Sequence, residues 1–122
     1  MGDNARKTVY VWRRRPELSR EEAQRHWREQ HAPLVRRHAK ALGIVRYVQT
    51  HTVESTTTQR GDRPMLEAFD GVAEIWIDSE SATGTPEERQ RAGQELTEDE
   101  ARFIDFERSS IWTAEEHPVI EG

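Results

Sequence analysis

Strand and helix periodicities in the order β-α-β-β-α-β constrain this 122-residue chain more than anything else in it. Residues 7–14 alternate, with Thr8, Tyr10 and Trp12 on one face and Val9, Val11 and Arg13 on the other, a strand pattern that ends at Pro16. Ser19 and Glu22 form a capping box, in which the hydroxyl bonds the Glu amide and the carboxylate reaches back, so a helix begins near Arg20. Ala23, Trp27, Leu34 and Leu42 give that helix its apolar stripe, and Gly43 stops it. Pro33 has no N–H to donate and disfavours helical geometry at Ala32, which predicts a kink or a brief restart near His31. Residues 44–53 alternate as a second strand, with Tyr47, Gln49, His51 and Val53 on one face. The polar, Thr-rich stretch 54–63 is a loop that continues to Ala68, and Asp70-Gly71 is a turn opening a third strand over 72–77. After a small-residue loop at 79–85, Pro86 and the glutamates behind it start a second helix, with Gly93 and Thr97 as candidate break points. Residues 109–120 read as the last strand, carrying Ile111, Trp112, Val119 and Ile120.

Two βαβ halves in this order predict an α+β fold, a four-stranded antiparallel sheet with both helices on one face. The other sheet face then needs a cover, and a second sheet is the simplest one. Composition points the same way. Leu, Ile, Val and Phe total 22 residues, about 18%, a fraction that warns of disorder. The net charge of −5 is small, however, and the apolar residues sit in periodic segments with four Trp and two Tyr. A folded domain with so lean a core gains by burying a second face against another copy of itself. The expectation is a flexible arm over 1–6 and a single domain over 7–122 that forms a homodimer.

Several classes of function are excluded. Zero cysteines rule out disulfides, thiolate metal sites and a cysteine nucleophile. No apolar run approaches about eighteen residues and no basic, apolar leader is present, so a cytoplasmic protein without membrane contact is expected. Charge is uneven, with 14 Lys/Arg and 7 Asp/Glu in residues 1–63 (net +7) against 4 and 16 in residues 64–122 (net −12). The strand order and the Arg13-Arg14-Arg15 run invite an RNA-recognition reading. The third strand, GVAEIWID, nevertheless carries acids where base-stacking aromatics belong. The favoured reading is that the two halves neutralise one another, with no nucleic-acid partner.

Histidine and carboxylate remain as catalytic groups. His31 leads, four residues after Trp27 on the face that packs toward the sheet and beside the Pro33 interruption, since imidazole transfers protons near neutral pH. The bland alternative is a buried histidine bonded to a carbonyl at the kink. His51 shares a strand face with Tyr47 and Gln49 and is a second proton carrier or an ordinary half-buried strand residue. Asp70, at a strand mouth, is a base, an orienting carboxylate or plain turn chemistry, and the turn is favoured. His26 and His31, five apart, point in different directions on an α-helix, His38 lies about two turns from His31, and no HExxH pattern exists, so no metal is expected. His117 reads as structural or as a dimer contact. Tyr10 and Trp12 form an aromatic row that lines a pocket if it faces the helices, with simple core packing the better reading for at least one of them. Glu74 and Trp76 fall on the dimer side of the third strand, where Glu74 should take an Arg partner from the first half.

Four segments together resemble the EthD-like family of dimeric α/β-barrel proteins: RRRPELSREEAQRHWREQHAPLV at 13–35, RYVQTHTV at 46–53, FDGVAEIWIDS at 69–79 and DEARFIDFERS with EEHPVI within 99–120. They cover nearly the whole chain in order, and the first is the most specific. The stretch 81–97 departs from the pattern in being polar where members often carry more apolar residues. The resemblance implies a ferredoxin-like protomer, a sheet-to-sheet dimer closing an α/β barrel, and a pocket between sheet and helices. It implies cofactor-free chemistry on an aromatic or polyketide-like substrate: dehydration, decarboxylation, isomerisation or cyclisation, in secondary metabolism or aromatic catabolism. Cofactor-free oxygenation and non-catalytic accessory binding are the alternatives within the same fold. It also makes the His31 position an acid/base; the residue reading adds His51 or Asp70 as assistants and Tyr10, Trp12, Trp27, Leu34 and Ile75 as pocket walls.

Overall fold

The computed structural model describes residues 5–53 and 65–121. Four strands, β1 (Arg6–Trp12), β2 (Ile44–His51), β3 (Gly71–Ile77) and β4 (Ser110–Ala114), form one sheet in the order β2-β3-β1-β4, every neighbouring pair antiparallel. One face is covered by α1 (Arg20–His26), a π-helical turn (Trp27–His31), α2 (Ala32–Leu42) and α3 (Pro86–Glu100). This is the expected α+β arrangement. No helix among the described residues is long and apolar enough to cross a membrane. The loop expected over 54–63 and the first four residues of the expected arm lie outside the described residues. Arg6, placed in the arm, instead pairs with Ile77 and opens β1.

Two boundaries differ from expectation. Helix α3 runs unbroken through Gly93 and Thr97. Glycine costs a helix about 1 kcal/mol, which the buried Ala92 and Asp99 and a Thr85–Glu88 capping box offset. Strand β4 stops at Ala114 rather than near 120, because Ala114 pairs with Lys7 at the beginning of β1 and the partner strand ends one residue on; Val119 and Ile120 stand 91% exposed.

The core lies between sheet and helices. Trp12 is fully buried and meets Trp27 and Phe103 edge-to-face, at 5.0 and 5.2 Å between ring centroids. Gly71 makes this packing possible: a Cβ there would stand 2.5 Å from Trp12 Nε1 and 2.6 Å from Trp27. Gly43 ends α2 in the left-handed region, at φ 77°, as a C-capping glycine does.

The opposite sheet face carries Lys7, Val9, Arg46, Val48, Glu74, Trp76 and Trp112 by register. Glu74 pairs with Lys7 and not with an arginine, because Lys7 sits diagonally across the β1–β3 ladder and its stem also covers Trp76. Arginines of the basic run are engaged within the fold: Arg13 stacks on Phe69, Arg14 binds Asp70, and Arg15 pairs with Glu17.

Candidate active site

The helical layer meets Pro33 by widening into a π turn and restarting as α2 at Ala32, the brief restart expected near His31. The amide of Ala32 donates to the Trp27 carbonyl five residues back, closing a single π turn. On an α-helix residues five apart diverge by roughly 140°. A π turn brings them to the same side. His26 and His31 therefore converge, contrary to the α-helical expectation, on one carboxylate of α3. His26 Nε2 lies 2.9 Å from Asp99 Oδ1 and His31 Nδ1 2.8 Å from Asp99 Oδ2. A carboxylate only accepts, so each of these ring nitrogens carries a proton toward Asp99.

His31 is 3% exposed. Its other nitrogen, Nε2, stands 3.5 Å from Glu100 Oε2. Burial pulls the His31 pKa down, but the Glu100 and Asp99 carboxylates outweigh it and hold the pKa above the ordinary 6.5. The imidazole also meets the Phe103 ring edge-on at 5.6 Å.

His31 and Glu100 line a small cavity of about 50 Å³ with Tyr10, Trp12, Trp27 and Tyr47. Of the expected pocket walls, Tyr10, Trp12, Trp27 and Ile75 line it and Leu34 does not. The inserted residue of the π turn rotates the helix beyond it, so the inward position passes from Leu34 to Val35, which is buried and does line the cavity.

Tyr47 adds a second polar group whose orientation is fixed by its neighbours. Its oxygen accepts from Trp27 Nε1 at 3.1 Å and from Gln49 Nε2 at 3.2 Å. The other Gln49 Nε2 hydrogen goes to the Trp27 carbonyl at 3.0 Å, which turns Gln49 Oε1 toward His51 Nε2 at 2.8 Å. With both acceptor positions of its oxygen used, the Tyr47 hydroxyl hydrogen is left for the cavity, and no acceptor for it exists among the described residues. Burial raises the Tyr47 pKa, so the hydrogen stays on at neutral pH.

The two assisting residues expected beside His31 lie elsewhere. His51 is outside the cavity, stacked on Trp27 at 4.5 Å, at the outer end of the Gln49–Tyr47 chain. Burial and the nearby Arg28 charge lower its pKa. Asp70 lines a separate recess with Arg13, Arg14 and Arg108. Its carboxylate accepts from the Arg14 amide and guanidinium, both at 2.7 Å, and from Arg20 Nε at 2.8 Å. Burial alone would raise the Asp70 pKa, but Arg20 and Arg14 hold it below the ordinary value. Asp70 is a clamp for the β1–α1 connection, its carboxylate bonded to Arg14 and Arg20 and not within its own turn. Residue-by-residue reading missed Asp99 and Glu100. A signal was present: two carboxylates end α3 with no basic residue in its last turn, where the helix dipole penalises anions. Among the described residues no group of three or more His, Cys, Asp or Glu is arranged to hold a metal ion.

An antiparallel β2-β3-β1-β4 sheet under two helical segments, with a polar pair opening on a helix-side cavity, defines a ferredoxin-like α+β protein. The chain belongs to the EthD domain family, whose model matches residues 15–107. Similar solved structures include an EthD (ethyl tert-butyl ether D) family protein from Bacillus halodurans C-125, with a TM-score of 0.58 and 20% identity over 93% of this chain and 99% of that one. An EthD-like protein from Ralstonia eutropha JMP134 gives a TM-score of 0.55 and 18% identity over 98% and 96%. A dimeric ferredoxin-like protein of unknown function from Bacteroides fragilis NCTC 9343 gives 0.51 and 12% over 95% and 100%. No curated protein matches the chain.

Proposed function

We propose that this protein is a cofactor-independent enzyme that moves a proton on a small aromatic or polyketide-like carbonyl compound, as a lyase, isomerase or cyclase. The observation that carries this reading is the buried His31–Asp99 pair opening, with Glu100 and Tyr47, on an aromatic-walled cavity. Asp99 holds the Nδ1 proton, so Nε2 is the atom that exchanges with a substrate. Deprotonated, Nε2 takes the acidic hydrogen beside a carbonyl; protonated, it delivers a proton to carbon or to a departing hydroxyl. Charge that develops on the carbonyl oxygen meets the Tyr47 hydroxyl, already aimed by Trp27 and Gln49. Return of the proton at another carbon gives isomerisation, loss of a β-hydroxyl as water gives dehydration, and attack of the enolate carbon on a second carbonyl closes a ring.

The protein works as a homodimer in this reading. Val9, Val48 and Trp112 on the helix-free sheet face, with Trp112 half-exposed, supply an apolar surface for a second sheet. The related Bacteroides protein is itself described as dimeric.

Deuterium exchange tests the chemistry without knowledge of the natural substrate. In D2O the wild-type protein should label a benzo-fused cyclic ketone such as 2-tetralone about 10²- to 10⁴-fold faster than His31→Gln, followed by proton NMR. Equal rates in the two proteins would refute the proposal.

A further inference from the structure

Beside the cavity lies an open groove of about 420 Å³ between α2 and β2. The two share Val35, Ile44 and Tyr47 as a common wall. Small-molecule sites measure about 300–1,000 Å³. The groove is of that size and the inner cavity is not, so the body of a ligand belongs in the groove with its reacting end toward the shared wall.

The charged lining of the groove is entirely cationic, and Tyr47 and Gln49 are its neutral polar groups. Arg28 from the π turn and Arg36 from α2 line it, and no Asp or Glu does; Arg46 of β2 borders it, but its side chain belongs to the opposite sheet face. Arg46 lies over the Trp76 ring at 4.9 Å. Arg28 and Arg36 have no salt-bridge partner among the described residues, a state they share with arginines such as Arg37 and Arg102; what sets the two apart is that they line one groove on which no carboxylate lies. In a chain with 23 acidic residues against 18 basic ones, two guanidiniums left unpaired on one groove are a site of uncompensated positive charge. Ala32, Val35, Ala39 and Ile44 give the same groove an apolar floor.

We infer that this groove binds an amphipathic organic acid, an aromatic or otherwise flat apolar body bearing a carboxylate. The planar guanidinium fork matches a carboxylate in geometry and charge. Arg28 and Arg36 hold the carboxylate at the groove, the apolar body lies on the alanine and valine floor, and the end remote from the acid points at the wall shared with the His31 cavity. The inference rests on the proposed His31 chemistry only for that direction.

Binding by calorimetry separates the two readings because it needs no turnover. The probes are 2-naphthoate, its neutral amide 2-naphthamide, and inorganic phosphate. The wild-type dimer should bind 2-naphthoate at least about tenfold more tightly than 2-naphthamide, and inorganic phosphate weakly. Arg28→Gln/Arg36→Gln should erase the preference, and about 1 M salt should narrow it in the wild type. An unchanged circular dichroism spectrum and unfolding midpoint report that the double variant is folded. Equal affinity for acid and amide, no binding of 2-naphthoate, a preference that survives in the double variant, or phosphate binding as tight as naphthoate would overturn the inference. If the preference holds while His31→Gln exchanges deuterium normally, the catalytic reading fails and the groove stands.

Discussion

Asp99 holds two imidazoles on one carboxylate, and the two do different work. His31 faces the cavity, whereas His26 lies nearer the surface and braces Asp99 from the other side. The linkage has a definite sign. His31 has a folded pKa above its ordinary value, so its stabilising charge is fully present below about pH 6.5 and is lost as pH rises through the raised folded value. A second residue-scale prediction concerns Gly71, whose absent side chain is where Trp12 and Trp27 meet. Both neighbours are rigid indoles in a packed core, so Gly71→Ala should destabilise the protein by about 2–3 kcal/mol in thermal or denaturant unfolding. A change below about 0.5 kcal/mol would mean that the ring packing yields easily.

At the scale of elements, the long helical unit and α3 meet through three histidine–carboxylate pairs, His26 and His31 with Asp99 and His38 with Glu95 at 2.7 Å. Because α3 is continuous and nothing lies within 4 Å of a Cβ built at Gly93, Gly93→Ala should stabilise the protein by about 0.5–1 kcal/mol. A loss of stability in calorimetric unfolding would show that α3 needs flexibility at that point. Element order, caps and most boundaries were legible in the sequence, because capping boxes, Gly43 and strand alternation are local signals. The π turn was not. Pro33 announces an interruption, but whether a helix kinks or widens depends on what the neighbouring element offers, here the Asp99 carboxylate and the Gln49 amide on the Trp27 carbonyl. That one inserted residue moved the inward position from Leu34 to Val35 and turned His26 toward His31.

Across the whole molecule, part of the charge of the basic first half meets the acidic second half inside one fold. Lys7 meets Glu74, Arg14 and Arg20 meet Asp70, and three histidines meet α3. The site was legible in part for the same reason. His31, Tyr10, Trp12, Trp27 and Ile75 announce themselves by residue type and period, whereas Asp99 and Glu100 reach His31 across 68 and 69 positions that only the tertiary fold closes. Arg28 and Arg36 are among the arginines outside those pairs, and their shared place on one acid-free groove is what marks it. The central claim is that folding joins His31 to Asp99 as a working proton-transfer pair. It is tested most directly by imidazole nitrogen NMR of the intact protein, titrating His31 in the wild type and in Asp99→Asn. The account predicts a His31 pKa above 6.5 in the wild type, Nδ1 protonated in the neutral ring, and a clear fall in Asp99→Asn. A wild-type His31 that titrates at or below 6.5, or that is indifferent to the loss of the Asp99 charge, would contradict it.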